Sequence, residues 1–126
     1  MRRALVVAAV LTALGSPALA QAKFGTSGRW CGSSPEMRLS GVPKGTAKLD
    51  FRMTDLNAPS YPHGGGQLPY QGQNTIACSE LSQKAGGYQG PSPPPGQVHT
   101  YQWTIRALDA SGASVGQAVL QMKYPQ

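Results

Sequence analysis

Alternating apolar and polar residues mark three stretches of the chain as half-buried strands. From Leu49 to Thr54, Leu49, Phe51 and Met53 fall on one face and Asp50, Arg52 and Thr54 on the other. The longest run, Val98 to Leu108, sets His99, Tyr101, Trp103, Ile105 and Ala107 against Thr100, Gln102, Thr104 and Arg106. In Gln117 to Tyr124, Ala118, Leu120, Met122 and Tyr124 alternate with Gln117, Gln121 and Lys123. Met37 to Val42 and Leu68 to Ala77 are weaker strand candidates, and the only helical signal is a turn or two from a Ser79 cap through Ala85. Gly41-Val42-Pro43, Asn57-Ala58-Pro59, Gly64-Gly65-Gly66 and Gly90 to Gly96 punctuate these segments as turns. Short strands separated by Gly/Pro turns predict a mainly β fold with little helix, a β-sandwich or small barrel.

The N-terminal stretch follows another pattern. Arg2 and Arg3 precede an apolar run from Ala4 to Leu14, a Gly15-Ser16-Pro17 break and Ala18-Leu19-Ala20. This is the form of a secretory signal peptide cut after Ala20, and its apolar run is about half the roughly 20 residues of a membrane span. The expected organisation is a leader at 1–20 and one domain at 21–126, secreted or periplasmic, without a transmembrane segment.

Composition adds a question and partly answers it. The chain has 16 glycines and 11 prolines in 126 residues, enough for disorder to compete with folding. A disordered chain, however, has no reason to keep Trp103 and Ile105 in phase with Tyr101 and His99. Loss of Arg2 and Arg3 with the leader lowers the net charge from +6 to +4. The remaining basic residues, from Lys23 to Lys123, are scattered with no run of three, whereas a nucleic-acid binder gathers them on one face. Nucleic acid is therefore not an expected partner. The size leaves no room for a two-domain enzyme or a doubly wound nucleotide-binding domain.

Cys31 and Cys78 lie in a chain expected to reach an oxidising compartment. Paired, they would close a loop of about 48 residues and add roughly 4 kcal/mol in the chain-entropy model; the sequence alone leaves open whether they meet.

Two motifs suggest a serine hydrolase: His63-Gly64-Gly65-Gly66 as an oxyanion loop and Gly112-Ala113-Ser114-Val115-Gly116 as a nucleophile elbow. No Asp, Glu or His follows Ser114, so the triad cannot be completed in that order, and Asp109 to Gly112 reads as a turn between strands. Asp55, His63 and His99 contain the residue types of a two-histidine, one-carboxylate metal site, but their spacing is no local ligand motif. Neither a metal nor a cofactor is expected.

The most informative segment runs from Gly90 to Trp103. A stiff Gly-Pro-Ser-Pro-Pro-Pro-Gly loop feeds a strand whose inward face begins with His99 and Tyr101. These two are either core residues whose polar atoms meet backbone groups or the lining of a pocket at the end of the sheet. In the second reading they face Asp55 and Asn57, just beyond the Leu49–Thr54 strand, and His63 in the same connection. Two imidazoles, a phenol and loop N–H groups can donate to phosphate or carboxylate oxygens, with Asp55 orienting one histidine and favouring its charged form.

From about Cys31 to Pro125 the chain resembles the phosphatidylethanolamine-binding proteins, and more closely their bacterial Raf-kinase-inhibitor-like branch. Ser34 to Pro43 resembles the family's opening strand and turn. Asp55-Leu56-Asn57-Ala58-Pro59 resembles its D-x-D-A-P motif, and Gly90-Pro91 through Gly96 with His99-Thr100-Tyr101 its G-P-x-P-P-x-G…H-x-Y motif. Asn57 stands where the second acid is usual, Ser92 where cysteine is frequent and Thr100 where arginine is common. The resemblance implies a β-sandwich of that family's kind, with a pocket for phosphate-like or phospholipid-headgroup-like anions. Asp55, Asn57, His63, Gly90, Pro91, His99 and Tyr101 would line it. The implied role is a binding protein that is not an enzyme, or an interaction or inhibitor module meeting a kinase or protease through the same loops.

Overall fold

A computed structural model describes residues 21–126; the expected leader at 1–20 lies outside the described residues. The described chain forms β1 (Ala22–Lys23), β2 (Gly25–Cys31), β3 (Ser34–Ser40), β4 (Thr46–Asp55), β5 (Gly65–Pro69), β6 (Thr75–Ile76), α1 (Glu80–Lys84), β7 (His99–Asp109) and β8 (Ser114–Tyr124). Two sheets result, a larger one ordered β1-β8-β7-β4-β5 and a smaller one ordered β2-β3-β6. The fold is mainly β, as the alternation implies. Only β1 runs parallel to its neighbour; the other pairs are antiparallel.

The strongest alternating segments form the centre of the larger sheet. Phe51 pairs with Ile105 and Met53 with Trp103 across β4 and β7, while Ile105 pairs with Ala118 and Tyr101 with Met122 across β7 and β8. Their inward side chains meet Trp30, Met37, Leu39 and Ile76 from the smaller sheet and Leu81 from α1 in one buried core. Each large apolar side chain buried there adds roughly 1.5–3 kcal/mol. Phe51 and Trp103 also make an edge-to-face contact with ring centroids 6.4 Å apart, a geometry aromatic quadrupoles favour.

The weaker candidates fold with shifted limits. The Met37–Val42 candidate is β3, which begins at Ser34 and ends at Ser40, and the Leu68–Ala77 candidate splits into β5 and β6 around Tyr70–Asn74. β8 begins at Ser114, before the apolar alternation, because Asp109 closes the preceding turn. Its Oδ1 accepts the N–H groups of Ser111 and Ala113 and the Ser111 hydroxyl. Ser114 is therefore the first residue of a strand and not the apex of a nucleophile elbow. Strand β2 has no hydrophobic alternation to announce it: of its residues only Trp30 is buried. The helix has Ser79 at its N-cap, but the Ser79 side chain makes no capping bond; the Glu80 carboxylate instead accepts the Ala77 N–H.

The His63-Gly64-Gly65-Gly66 motif is a packing device. A Cβ at Gly64, Gly65 or Gly66 would collide with the carbonyl oxygen of Gly87, Phe51 or Ala85 respectively, and all three have positive φ (68°, 149° and 148°). Glycine lets β5 press against β4 on one side and the 85–87 segment on the other.

Cys31 and Cys78 form a disulfide with Cα atoms 5.6 Å apart, joining the end of β2 to the turn before α1. This bridge closes a loop containing β3, β4, β5 and β6. The double variant Cys31→Ser/Cys78→Ser is expected to lose about 4 kcal/mol of unfolding free energy, measured by urea denaturation against the oxidised wild type. A loss below about 1 kcal/mol would mean that the fold does not depend on the bridge.

Candidate functional site

The register of β4 against β7 brings together residues far apart in sequence. Asp55, the last residue of β4, pairs with Tyr101, and His99 opens β7 opposite Tyr124 of β8. Both Asp55 and His99 are buried, and His99 Nδ1 donates to Asp55 Oδ2 at 2.6 Å. The other Asp55 oxygen accepts the N–H groups of Asn57 at 2.9 Å and Ala58 at 3.2 Å. The Asp55-Leu56-Asn57-Ala58-Pro59 segment is thus an Asx turn, in which a side-chain oxygen takes the place of a backbone acceptor.

Burial works against the charged Asp55 carboxylate, but the hydrogen bonds from His99, Asn57 and Ala58 and the nearby imidazole outweigh it. Its pKa lies below the ordinary carboxylate value. Asn57 has a different task from the rest. Its Oδ1 accepts the Thr100 N–H at 2.8 Å, and Leu56 N–H donates to the Thr100 carbonyl at 2.8 Å. Together these bonds fasten the turn to the start of β7.

Tyr101 is fully buried. Its ring lies edge-on to His63 and Trp30, with centroid distances of 5.3 and 5.9 Å. Burial, with the Asp55 carboxylate adding to it, pushes its pKa up to about 12, while the Ser92 backbone N–H acts in the opposite direction. Although both groups face the phenol oxygen, none satisfies it with hydrogen-bond geometry. Buried polar atoms are rarely left in that state.

His63 arrives from the connection between β4 and β5. Its Nδ1 donates to the Gln89 carbonyl at 2.8 Å, and the Gln89 N–H returns a bond to the His63 carbonyl at 2.8 Å. The Tyr61 ring lies tilted against His63, with centroids 4.5 Å apart. The proline loop is anchored next to this pair: Pro91 is buried, a Cβ on Gly90 would press on Ser33 at 3.1 Å, and the Tyr88 hydroxyl donates to the Ser33 carbonyl.

The structure thus gathers Asp55, His99 and Tyr101 directly and sets His63 against Tyr101. Gly90 and Pro91 lie in the loop that brings the Ser92 N–H towards Tyr101, and Asn57 braces the turn. Several participants carry no motif. Gln97, in the exposed loop, places its Oε1 2.9 Å from His99 Nε2. The Tyr88 phenol is raised in pKa by burial, with the phenols of Tyr101 and Tyr124 adding to the effect. Gln97 and Tyr88 have no signal in the sequence, whereas Tyr101 and Tyr124 are marked by their places on the inward faces of the alternating segments. As metal ligands, Asp55, His63 and His99 do not converge as a set: among the described residues, the group of three such donors within 4.8 Å of one another is Cys31, Glu36 and Cys78.

No protein-family model matches the chain, and no curated protein matches it.

The Asp55–His99 bond has a pH signature. Because folding lowers the Asp55 pKa, its contribution to stability is complete above the unfolded carboxyl value of 3.8 and is lost as pH falls through the folded value. The stability difference between wild type and Asp55→Asn should therefore stay level above about pH 5 and shrink between about pH 5 and pH 2, read from urea midpoints. A difference that stays constant over that range would show that the bond does not couple protonation to folding.

Proposed function

We propose that the chain is an exported ligand-binding protein whose site, at the end of the larger sheet, takes a phosphate or phosphate-ester anion. The observation that carries this reading is the Tyr101 hydroxyl, fully buried and without a hydrogen-bond partner, beside the Ser92 N–H and the Asp55–His99 pair. A phosphate oxygen accepts from a phenol, an imidazole and a backbone N–H together. The Gln97 amide oxygen, 2.9 Å from His99 Nε2, stands where a ligand oxygen would sit, so Gln97 acts as a plug that the anion displaces. The D-x-N-A-P, G-P-x-P-P-x-G and H-x-Y segments, which resemble those of the phosphatidylethanolamine-binding proteins, support the same assignment. The Cys31–Cys78 disulfide is compatible with a secreted or periplasmic location, and among the described residues no helix is long and apolar enough to cross a membrane.

A second reading has its own observation. Leu56, Tyr61 and Val98 are exposed at 43%, 46% and 56%, and each belongs to a loop that holds a site residue. Exposed apolar side chains grouped near a site favour protein contact, in keeping with an interaction or inhibitor module. In that case Leu56→Ser/Val98→Ser would remove binding to a partner and leave anion affinity unchanged.

Calorimetry with inorganic phosphate and with phosphoethanolamine separates these functions. The anion-binding reading expects saturable binding at millimolar ligand or below, about tenfold weaker or more in His99→Ala, and severalfold tighter in Gln97→Ala because the plug is gone. Affinity unchanged in both variants, or no heat at all, would rule out a phosphate site here.

A further inference from the structure

A second cluster of reactive side chains lies outside the Asp55–His99 site. In the β2–β3 hairpin Arg29 pairs with Glu36 and Cys31 with Ser34, and Trp30 and Met37 turn into the core. Arg29, Cys31 and Glu36 therefore share the face turned away from it. Cys78 reaches this face from the turn before α1. The two sulfurs and a Glu36 carboxylate oxygen lie within 4.8 Å of one another, and all three residues are partly exposed. Glu36 Oε2 is 3.5 Å from Cys78 Sγ, yet a disulfide sulfur has no hydrogen to donate, so this contact gains nothing while the bridge is closed. Arg29 holds the carboxylate there, donating to Glu36 Oε2 at 2.8 Å.

Two sulfurs and a carboxylate oxygen, on elements tied into one fold, are three of the four donors a tetrahedral zinc ion takes, with bonds of about 2.3 Å to sulfur and about 2.0–2.2 Å to oxygen. We propose that opening the Cys31–Cys78 bridge converts this cluster into a zinc site, with Cys31, Cys78 and Glu36 as protein ligands and the fourth position open to solvent. The opening step is exchange with a dithiol reductant. One reductant thiolate attacks a bridge sulfur, the Cys31–Cys78 S–S bond breaks, and a mixed disulfide forms. The second reductant thiol then resolves it. The reductant leaves as its own disulfide, and the protein gains two electrons and two protons as two thiols. Zinc binding displaces those two protons without a change in the metal's oxidation state. Because thiolates are the ligands and a disulfide offers none, disulfide and zinc exclude each other. The arginine that fixes Glu36 acts as an outer-shell support, the role that orients ligating carboxylates in metal sites.

The test uses the chain reduced with dithiothreitol, freed of reductant without air, and titrated with cadmium and with zinc. Cadmium reports thiolate ligation through its ultraviolet charge-transfer absorbance; zinc affinity is read by competition with a chromophoric chelator. One equivalent is expected to bind the reduced protein and none the oxidised. Glu36→Gln should weaken zinc binding roughly tenfold or more, and Arg29→Met should weaken it severalfold. Far-ultraviolet circular dichroism of the oxidised variants verifies their fold. The proposal fails if reduced wild type and both variants bind equally, if the urea-unfolded reduced chain binds as tightly as in the absence of urea, or if the reduced protein does not bind.

Discussion

Strand β4 runs antiparallel to β7 from Thr46 opposite Asp109 to Asp55 opposite Tyr101, and this pairing organises both the core and the site. Its middle pairs Phe51 with Ile105 and Met53 with Trp103, which fill the space between the sheets. Its end sets the Asp55 carboxylate against His99 and Tyr101. A one-residue slip would turn every one of these side chains to the opposite face, so the packing that stabilises the sheet also aligns the polar groups. The intervening connection carries β5, β6, α1 and the proline loop, and its two ends return to the same point.

The rest of the molecule holds that connection in place. Glycines at 64–66 let β5 lie against β4 with no side chain between the backbones. Paired bonds between His63 and Gln89, and the bond from Tyr88 to Ser33, fasten the proline loop to its neighbours. The disulfide ties the smaller sheet to α1. Glycine and proline richness, which in a chain without alternation would signal disorder, here serves close backbone approach and stiff loops.

Legibility followed burial pattern. Strands β4, β7 and β8 bury one face and expose the other, so their period-2 alternation was visible, and with it the inward direction of His99, Tyr101 and Tyr124. Strand β2 was not visible, because Gly25, Ser27, Gly28 and Arg29 are exposed and its pairing with β3 depends on backbone hydrogen bonds. Asp55, His63, His99 and Tyr101 could be nominated from their chemistry and position. The parts played by Gln89 and Gln97 could not, because a glutamine in a loop has no periodicity and its partner is decided by tertiary folding. The sequence likewise left open whether Cys31 and Cys78 meet, a matter of distance in space alone.

In the proposed site Tyr101, His99 and the Ser92 N–H act together on one anion. The most direct measurement is a nuclear magnetic resonance titration of the labelled protein with phosphoethanolamine, following the His99 and His63 imidazole signals and the amides of residues 90–101. Saturable shifts confined to the His99 ring, the Ser92 amide and the strand around Tyr101, with release of the Gln97 side chain, are expected. Shifts spread over scattered lysine-bearing surfaces, with the His99 ring and Ser92 amide unmoved, would contradict it.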